Sequence, residues 1–369
     1  MSAVRQWLER RRAEPKSVAY GPIGAYFTQE HLHLVQLETL GDAGVGLRSH
    51  ASLTYPGSRS ELLASPAAVK KLVRRAIRAG KFSGRNVVSA MPPEQVRVMS
   101  VSYPANSSGN EAASIMKLMA GRVDGDLSDF VVDYVPIRMS SRDGDRLALV
   151  AVSRLEHVNN YLEVLRSAGL DVNFLEIGPL AVKRLIESGR ATDKHNHVIV
   201  INIGETTSHI TTVSGKRLLA DQEVQFGEAM ILSEIAKALN LTTSVGKELV
   251  LTNGLDPAQK SSEVVRTLVE IVKPVYLKLV REIDRAFLFA DSESRGDGQK
   301  RIVIAGSAAR WPGVAPLLGS LAKMPVESLG CEHMPFASDA DSIESLSDQQ
   351  AAEMSTAVGL ALRGMLRNE

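Results

Sequence analysis

The order of apolar positions along the chain predicts strands followed by helices, and this order occurs twice. In the first half, apolar and polar residues alternate over residues 25–37 (AYFTQEHLHLVQL), and the alternation is interrupted by the polar residues TQE and then resumes. This pattern predicts two strands joined by a tight turn. A third strand is predicted near 46–54, and apolar residues then recur at the helical period over 69–77. In the second half, a solid apolar run at 197–204 ends in glycine and again predicts a strand.

The second half continues in the same order. Ser214 and Gly215 predict a hairpin turn, helical periodicity dominates from about 227 to 291, and RIVIAG (301–306) predicts a buried strand. Between the halves, interleaved strands and helices over about 93–175 predict a small α+β insertion, with Gly169 as a helix stop. An α/β chain with this approximate duplication, and a different insert in each half, has the organisation of the two-lobed actin/hexokinase fold.

Composition narrows the class of protein. The chain has 369 residues, long enough for at least two compact units, and its 44% apolar and 23% charged residues are typical of a globular protein. Lys+Arg (43) nearly balance Asp+Glu (42), so no overall positive field favours nucleic acid as a partner. A single cysteine, Cys331, and no segment with the apolar core of a secretory signal or a membrane span lead us to expect a cytoplasmic protein.

Two local basic segments stand out against this balance. Residues 1–16 place Val4, Trp7 and Leu8 at helical spacing among arginines, which is compatible with a segment that binds anionic lipid but is more typical of a solvated terminus. A predicted helix near 69–81 carries cations opposite its apolar stripe, the pattern of a solvated helix face. These cations are Lys70, Lys71, Arg74, Arg75 and Arg78.

Two glycine turns are candidate phosphate-binding segments. In INIGETTSHITTVSG (201–215), Gly204, Thr206 and Thr207 lie between two predicted strands, where backbone amides and hydroxyls can approach a phosphate. Glu205 beside them is either a residue that orients water or a solvated turn residue. The later segment 303–318 is a buried strand, a Gly306-Ser307 turn and a helix. Either turn alone is equally typical of an ordinary hairpin or loop.

Other chemistry finds little support in the sequence. The histidines lack metal-ligand spacing, and no Walker A or GxSxG motif is present. His31 and His33 share one strand face, which is more typical of exposed or hydrogen-bonded edge residues than of a metal pair. Cys331 has no partner cysteine and is expected to act as a small apolar residue.

Several fragments in a fixed order make the chain resemble the PilM family of type IV pilus assembly proteins, with the MshI-type pilus proteins also close. These fragments are LSDFVVDYVPI (127–137), the segment 158–182, NIGETTSHI, QFGEAMI (225–231), VREIDRAFLF (280–289), VIAGSAARWPG and AVGLALRGM (357–365).

The resemblance implies an actin-like fold with subdomains 1A, 1C, 2A and 2B, preceded by a basic amphipathic N-terminal segment. The expected boundaries are 1–20 for that segment, 21–92 and 176–195 for 1A, 93–175 for 1C, 196–226 and 300–369 for 2A, and 227–299 for 2B.

The chain departs from the family pattern at positions that need a charged side chain or a close approach of the backbone to a phosphate. In 24–37, Tyr26 and Thr28 stand at the places of the family's aspartate and glycine, Asn202 replaces a second aspartate, and Val250 falls where a nucleotide-facing lysine is expected. Because phosphoryl transfer depends on carboxylates that place Mg²⁺ and water, we expect hydrolysis to be lost and assign no catalytic or metal-binding residue. Weak binding of ATP or ADP with Mg²⁺ stays open.

Three hypotheses follow. The first, which we favour, is a cytoplasmic scaffold at the inner membrane in a type IV pilus or MSHA-type assembly complex. The resemblance implies that it binds the N-terminal peptide of a PilN-like protein between 1A and 1C, with an assembly ATPase ring as a second partner. The other hypotheses are an active ATP-hydrolysing switch and a secretion adaptor similar to the cytoplasmic part of GspL. Adaptors of that type are usually tethered by their own membrane helix.

Overall fold

The computed structural model describes residues 19–40, 44–104, 110–138, 145–189, 197–215, 217–259, 261–293, 300–336, 345–363 and 365. The basic N-terminal segment, with Trp7 and Leu8, lies outside these residues.

Strands and helices alternate along the described residues much as the apolar pattern predicts. The strands are β1 (Tyr20–Phe27), β2 (His31–Thr39), β3 (Val45–Thr54), β4 (Asn86–Ala90), β5 (Arg97–Pro104), β6 (Phe130–Arg138), β7 (Asp145–Arg154), β8 (Asp171–Glu176), β9 (His197–Ile203), β10 (Ser208–Ser214), β11 (Arg217–Val224), β12 (Lys300–Gly306) and β13 (Val326–Ser328). The helices are α1 (Arg59–Leu63), α2 (Pro66–Ala79), α3 (Glu111–Ala120), α4 (Leu155–Ser167), α5 (Gly178–Ser188), α6 (Glu228–Leu239), α7 (Thr243–Asn253), α8 (Glu263–Glu293), α9 (Val314–Ala322), α10 (Asp348–Glu353) and α11 (Ser355–Ala361).

Two five-stranded sheets form the centres of the two lobes. The first has the order β3-β2-β1-β4-β8 and the second the order β11-β10-β9-β12-β13. In each sheet three consecutive strands pair antiparallel and the last two strands pair parallel. The predicted opening hairpin, third strand and second-half hairpin are therefore confirmed, and the approximate duplication of the sequence corresponds to two sheets of one topology.

A third, smaller sheet has the order β5-β7-β6 and comes from the part of the chain predicted to be an insertion. Helix α3 packs on it through Ile115 and Met119, which are fully buried. Both β5 and β6 are edge strands, so each has one side that is unpaired within the sheet.

Apolar faces of the helices close both lobes. The first sheet packs against α2 and α4 on one face. Its other face shares a core with the second sheet, with α5 and α11 between them, through side chains such as Val35, Leu185, Val200 and Val358. The long helix α8 covers the second sheet through Leu268, Tyr276 and Ile283. No helix among the described residues is both long and apolar enough to cross a bilayer.

Candidate functional site

The two predicted phosphate turns lie together at one end of the second sheet. β9 and β12 are parallel neighbours, with Ile203 opposite Gly306, so the turn that follows each strand emerges at the same edge. Gly306 has a φ of +92°, and a Cβ there would lie 2.1 Å from the carbonyl oxygen of Ile203. Only glycine fits this position, because the left-handed backbone and the close contact both exclude a side chain. The structure thus brings Gly204–Thr207 and Gly306–Ser307 together.

The β9–β10 turn is bound to the N-terminus of α6. The amide of Glu228 donates to the carbonyl of Gly204 (3.0 Å), and the amide of Ala229 donates to the carbonyl of Glu205 (2.8 Å). A helix N-terminus has four free amides that can bind an anion, and here two of them are already used by the turn. Thr206 is exposed at the tip of the turn, and Gly204 is packed so closely that a Cβ would lie 2.4 Å from the carbonyl of Thr207.

A buried carboxylate links this turn to Gly306–Ser307. Glu228, only 8% exposed, accepts a hydrogen bond from the Ser307 hydroxyl (3.0 Å) and an ion pair from the Lys247 ammonium group (2.5 Å). Gln349 donates to the Ser307 carbonyl (3.1 Å). A carboxylate in this position repels a phosphate unless a cation intervenes, and Lys247 is the cation that neutralises it.

Lys247 is a cation beside this turn that sequence analysis did not identify. Val250, placed where the family is expected to have a nucleotide-facing lysine, is fully buried in the core of the second lobe. Lys247 lies three residues earlier on the same helix, α7, and its ammonium group reaches the Gly306–Ser307 turn through Glu228. An acid in the first turn of a helix is common as a charge that favours the helix dipole, so the sequence alone did not distinguish Glu228.

The β1–β2 turn of the first lobe faces the β9–β10 turn across the cleft. The Thr28 hydroxyl accepts hydrogen bonds from the amides of Glu30 (3.3 Å) and His31 (2.9 Å), so its oxygen is engaged within its own turn. Burial raises the pKa of Glu205, and the nearby carboxylates of Glu30 and Glu228 raise it further. The cleft between the two turns therefore concentrates negative charge where a phosphate would have to enter.

Beside these turns, an inter-lobe cavity of about 340 Å³ is lined by both Tyr26 and Asn202. Its one carboxylate that is almost wholly buried, Asp221, accepts hydrogen bonds from the Thr211 hydroxyl (2.6 Å) and lies 3.0 Å from His209 Nδ1. Burial opposes the charge on His209, but the hydrogen bond to Asp221 and the charges of Asp221 and Glu223 outweigh it and raise the His209 pKa. Loss of surrounding water raises the pKa of Tyr26. The described residues contain no group of three or more His, Cys, Asp or Glu side chains that could hold a metal ion.

The remaining candidates are placed differently. His31 and His33 stack with ring centroids 5.7 Å apart, but β2 lies inside its sheet and His33 is only 3% exposed. The expectation of exposed or hydrogen-bonded edge residues was therefore wrong for His33, whose Nδ1 is buried without a hydrogen-bond partner among the described residues. Cys331 donates to the carbonyl of Leu346 (2.9 Å), and burial, with Asp348 nearby, raises its pKa to about 11, which suppresses the reactive thiolate.

An apolar groove of about 250 Å³ runs between the small sheet and the first large sheet. It lies between two edge strands, β6 and β8, and α4 contributes to its wall. Its apolar lining includes Val131, Val135, Leu149, Val158, Leu162 and Leu175. At one end Glu176 is held by Arg184 (2.8 Å) and Arg363 (2.6 Å). Sequence analysis anticipated a partner site beside the insertion but named none of these side chains.

Comparisons with known proteins agree with this architecture. The profile of the family described as type IV pilus assembly protein PilM matches residues 26–365. A solved structure described as a PilM-PilN type IV pilus biogenesis complex has a TM-score of 0.75 at 23% identity, covering 94% of this chain and 99% of that one. The ethanolamine utilization protein EutJ from Carboxydothermus hydrogenoformans has a TM-score of 0.52 at 14% identity, covering 95% of this chain and 91% of EutJ.

No curated protein sequence matches the chain. The structural similarities confirm the predicted α/β, two-lobed actin/hexokinase-like fold. The family profile extends over more than nine tenths of the sequence, from the first strand to the C-terminal helices. The chain therefore belongs to the PilM family of type IV pilus assembly proteins.

Proposed function

We propose that this protein is a cytoplasmic scaffold of a type IV pilus or MSHA-type assembly complex at the inner membrane, and that its nucleotide cleft is degenerate. Its main partner in this proposal is the N-terminal peptide of a PilN-like membrane protein, and an assembly ATPase ring is a second partner. The observation that carries the proposal is the apolar groove between β6 and β8, in a chain whose family assembles pili. A relative of the same fold was solved as a complex of PilM with PilN.

The groove suits an extended peptide. Val131 and Val135 of β6 and Leu149 and Ala151 of β7 line it from one face of the small sheet, and β8 and α4 line it from the first lobe. These apolar side chains provide pockets for a few anchors of an extended peptide. A peptide that becomes ordered on binding needs such buried anchors to offset its lost conformational entropy.

Peptide binding tests this part of the proposal. The native chain is titrated into a fluorescent peptide with the N-terminal sequence of the PilN-like protein from the same organism. Val131→Lys and Leu162→Lys, which put charge into the groove, are expected to weaken binding by about tenfold or more. The matched control is Val245→Lys, because Val245 is 42% exposed and Val131 is 39% exposed, but Val245 lies on α7. Equal affinity of all four proteins would place the peptide site elsewhere.

The contacts of the cleft support its degeneracy. A bound phosphate would meet the carboxylates of Glu30, Glu205 and Glu228, while two amides of α6 are already hydrogen-bonded to the β9–β10 turn. Tyr26 and Asn202 supply no carboxylate in the inter-lobe cavity, and the Asp221 carboxylate there is already engaged by the Thr211 hydroxyl and by His209 Nδ1. Weak nucleotide binding at Gly204, Glu205, Thr206, Thr207, Gly306 and Ser307 is compatible with these contacts, because glycine turns keep their backbone amides.

One observation favours the second candidate, an active switch. The Lys247 ammonium group, 45% exposed, lies next to the Gly306–Ser307 turn, where it could turn from Glu228 to a nucleotide. Heat-denaturing the purified protein and chromatographing the supernatant measures bound nucleotide directly. A stoichiometric amount of ATP or ADP would favour the switch, whereas a trace amount would favour the scaffold with a degenerate cleft.

A further inference from the structure

The cations of α2 form an exposed basic face, which we define as Lys70, Lys71, Arg74, Arg75 and Arg78. The helix begins at Pro66 behind the cap of Ser65 and buries Val69, Leu72, Val73 and Ala76 against the first sheet and α4. All five cations are exposed, and the helix contains no acidic residue. None of the five has an ion-pair partner among the residues that the structure describes. In a chain with a net charge of only +1, this is a strong local excess of positive charge.

The N-terminus of the chain enters the fold beside the end of this helix. The buried amide of Gln36 donates to the carbonyls of Gly21 (2.9 Å) and Ser83 (2.7 Å), so the start of β1 is joined to the loop that follows α2. That loop adds two more exposed cations, Lys81 and Arg85. The segment before β1 has the sequence MSAVRQWLERRRAEPK, which contains five further basic residues. The loop after α2 therefore lies beside the start of β1, the strand that this basic segment precedes in the sequence.

Exposed amphipathic side chains border the same end. Tyr20 is 46% exposed and Leu40 is 44% exposed, and Arg48 lies over the Tyr20 ring at 4.8 Å. The main chain of Thr39 pairs with that of Ala19, so these groups are neighbours. Tyrosine, leucine and arginine in this combination are typical of a surface at a membrane interface, where rings and aliphatic stems enter the headgroup region.

We propose that the basic face of α2 is a docking surface for anionic phospholipid. The exposed side of the helix bears long, flexible cations and otherwise only Pro66, Ala67 and Ala79. It offers no apolar anchor for an acidic peptide, which would need buried anchors to bind usefully. It also offers no aromatic side chain on which a base could stack, and the near-neutral chain lacks the wide positive field of nucleic-acid-binding proteins. A membrane requires neither feature, because its negative charge is spread over a surface.

The proposal that α2 binds lipid agrees with the proposed scaffold role but does not depend on it. α2 packs against α4, and α4 supplies Val158 and Leu162 to the peptide groove. Lipid docking through α2 would therefore hold the lobe that carries the groove at the membrane, where the peptide of a membrane protein emerges. The lipid surface and the groove carry different residues, so each can fail without the other.

Vesicle flotation with the full-length protein tests the proposal. Phosphatidylcholine vesicles with and without phosphatidylglycerol are compared at low and high salt. The test variant neutralises Lys70→Gln, Lys71→Gln, Arg74→Gln and Arg75→Gln together, and the matched control neutralises Lys237→Gln, Arg266→Gln, Lys278→Gln and Arg281→Gln, which are exposed on α6 and α8. Loss of four surface cations from a membrane contact, at about 1 kcal/mol each, is expected to lower partitioning on the order of 1,000-fold.

The native chain and the control are expected to float with anionic vesicles at low salt and to be released at high salt, while the α2 variant stays unbound. Unchanged binding of the α2 variant, or binding to uncharged vesicles, would overturn the proposal. Duplex DNA and polyaspartate serve as competing polyanions. If either one binds the native chain as tightly as the vesicles do, and the α2 variant loses that binding too, the surface is a general polyanion site. Unaltered peptide affinity of the α2 variant shows that its fold is intact.

Discussion

At the residue scale, the glycine of the β12 turn shows how one position lets two turns of the same lobe lie together. Gly306 has a left-handed backbone, and a Cβ there would lie 2.1 Å from the carbonyl oxygen of Ile203 and 2.8 Å from the side-chain oxygen of Asn202. Gly84, with a φ of +77°, has nothing within 4 Å of the Cβ position. Alanine substitutions at these two glycines therefore distinguish the free-energy cost of backbone strain from that of a steric clash.

We expect Gly306→Ala to lower the free energy of unfolding by about 3 kcal/mol or more, because strain in the left-handed region adds to overpacking against β9. Gly84→Ala is expected to cost only about 1 kcal/mol, since it has the strain alone. Urea denaturation followed by circular dichroism measures both. Similar losses for the two variants would show that the β12 turn moves aside and is not a fixed element of the cleft.

His33 gives a prediction of pH dependence. Burial lowers the pKa of His33 to about 3, with a smaller contribution from His31, so the folded state keeps His33 neutral where the unfolded chain takes up a proton. Between the unfolded pKa of about 6.5 and the folded value, stability is therefore lost as the pH falls, by about 1.4 kcal/mol per pH unit from this group. Above pH 6.5 the group has no effect.

The variant His33→Leu removes this proton uptake at similar volume. Its free energy of unfolding, minus that of the native chain, is expected to grow steadily as the pH falls from 6.5 towards 4. In His31→Leu the native slope persists, because His33 is still present. A difference between His33→Leu and the native chain that does not vary with pH would mean that His33 is protonated within the fold.

At the element scale, amphipathic helices and hairpins were read correctly because their information is local. The cations of α2 lie on its exposed face as the periodicity predicts, and the hairpin β9–β10 has its glycine turn where the sequence places it. The apolar periodicity does not show which exposed helix face binds a partner. The position of the basic helix beside the start of β1 depends on Gln36, which binds the carbonyl of Ser83, 47 residues later in the chain.

The basic N-terminal segment, residues 1–16, belongs to the same scale, and it is expected to add peripheral membrane affinity. Its arginines each contribute about 1 kcal/mol near an anionic surface, and salt screens this contribution. Deleting residues 2–14 is expected to reduce flotation with anionic vesicles at low salt and to have little effect at high salt. Equal flotation of the deleted and native chains at low salt would contradict the prediction, whatever the result for α2.

At the scale of the whole molecule, catalysis depends on carboxylates from both lobes meeting at one phosphate. Here the first lobe brings Tyr26, Thr28 and Glu30 to the cleft, and the second lobe brings Asn202 and Glu205. The carboxylates present crowd the turns themselves and raise the pKa of Glu205, so they oppose a phosphate more than they orient a metal ion. In the proposed function, the two lobes therefore serve shape and partner binding and not phosphoryl transfer.

We expect no magnesium-dependent ATP hydrolysis by the native chain, and Asn202→Asp alone is expected not to create it. The restored acid would still face Tyr26 and a first turn without the family's aspartate and glycine. Phosphate release is measured against a buffer blank, with Thr206→Ala as the comparison. Release clearly above the blank that Thr206→Ala abolishes would favour the active switch over the scaffold.

Taken by itself, the sequence determined the strand and helix order, the two-fold repetition and the α+β segment between the halves, because apolar periodicity and glycine turns act over a few residues. The family came from the resemblance of several fragments in a fixed order. The sequence also placed Gly204–Thr207 and Gly306–Ser307 each after a predicted strand, whereas the structure showed that these two strands are neighbours. The subdomain boundaries stay a prediction.

Only the tertiary structure decided the state of the charged and polar groups. It buried His33 inside a sheet, turned Lys247 rather than position 250 towards the cleft, and set Glu228 between Lys247 and Ser307. The physical reason is that burial, pairing and pKa depend on which distant elements pack around a side chain, and helix and strand periods carry no record of that.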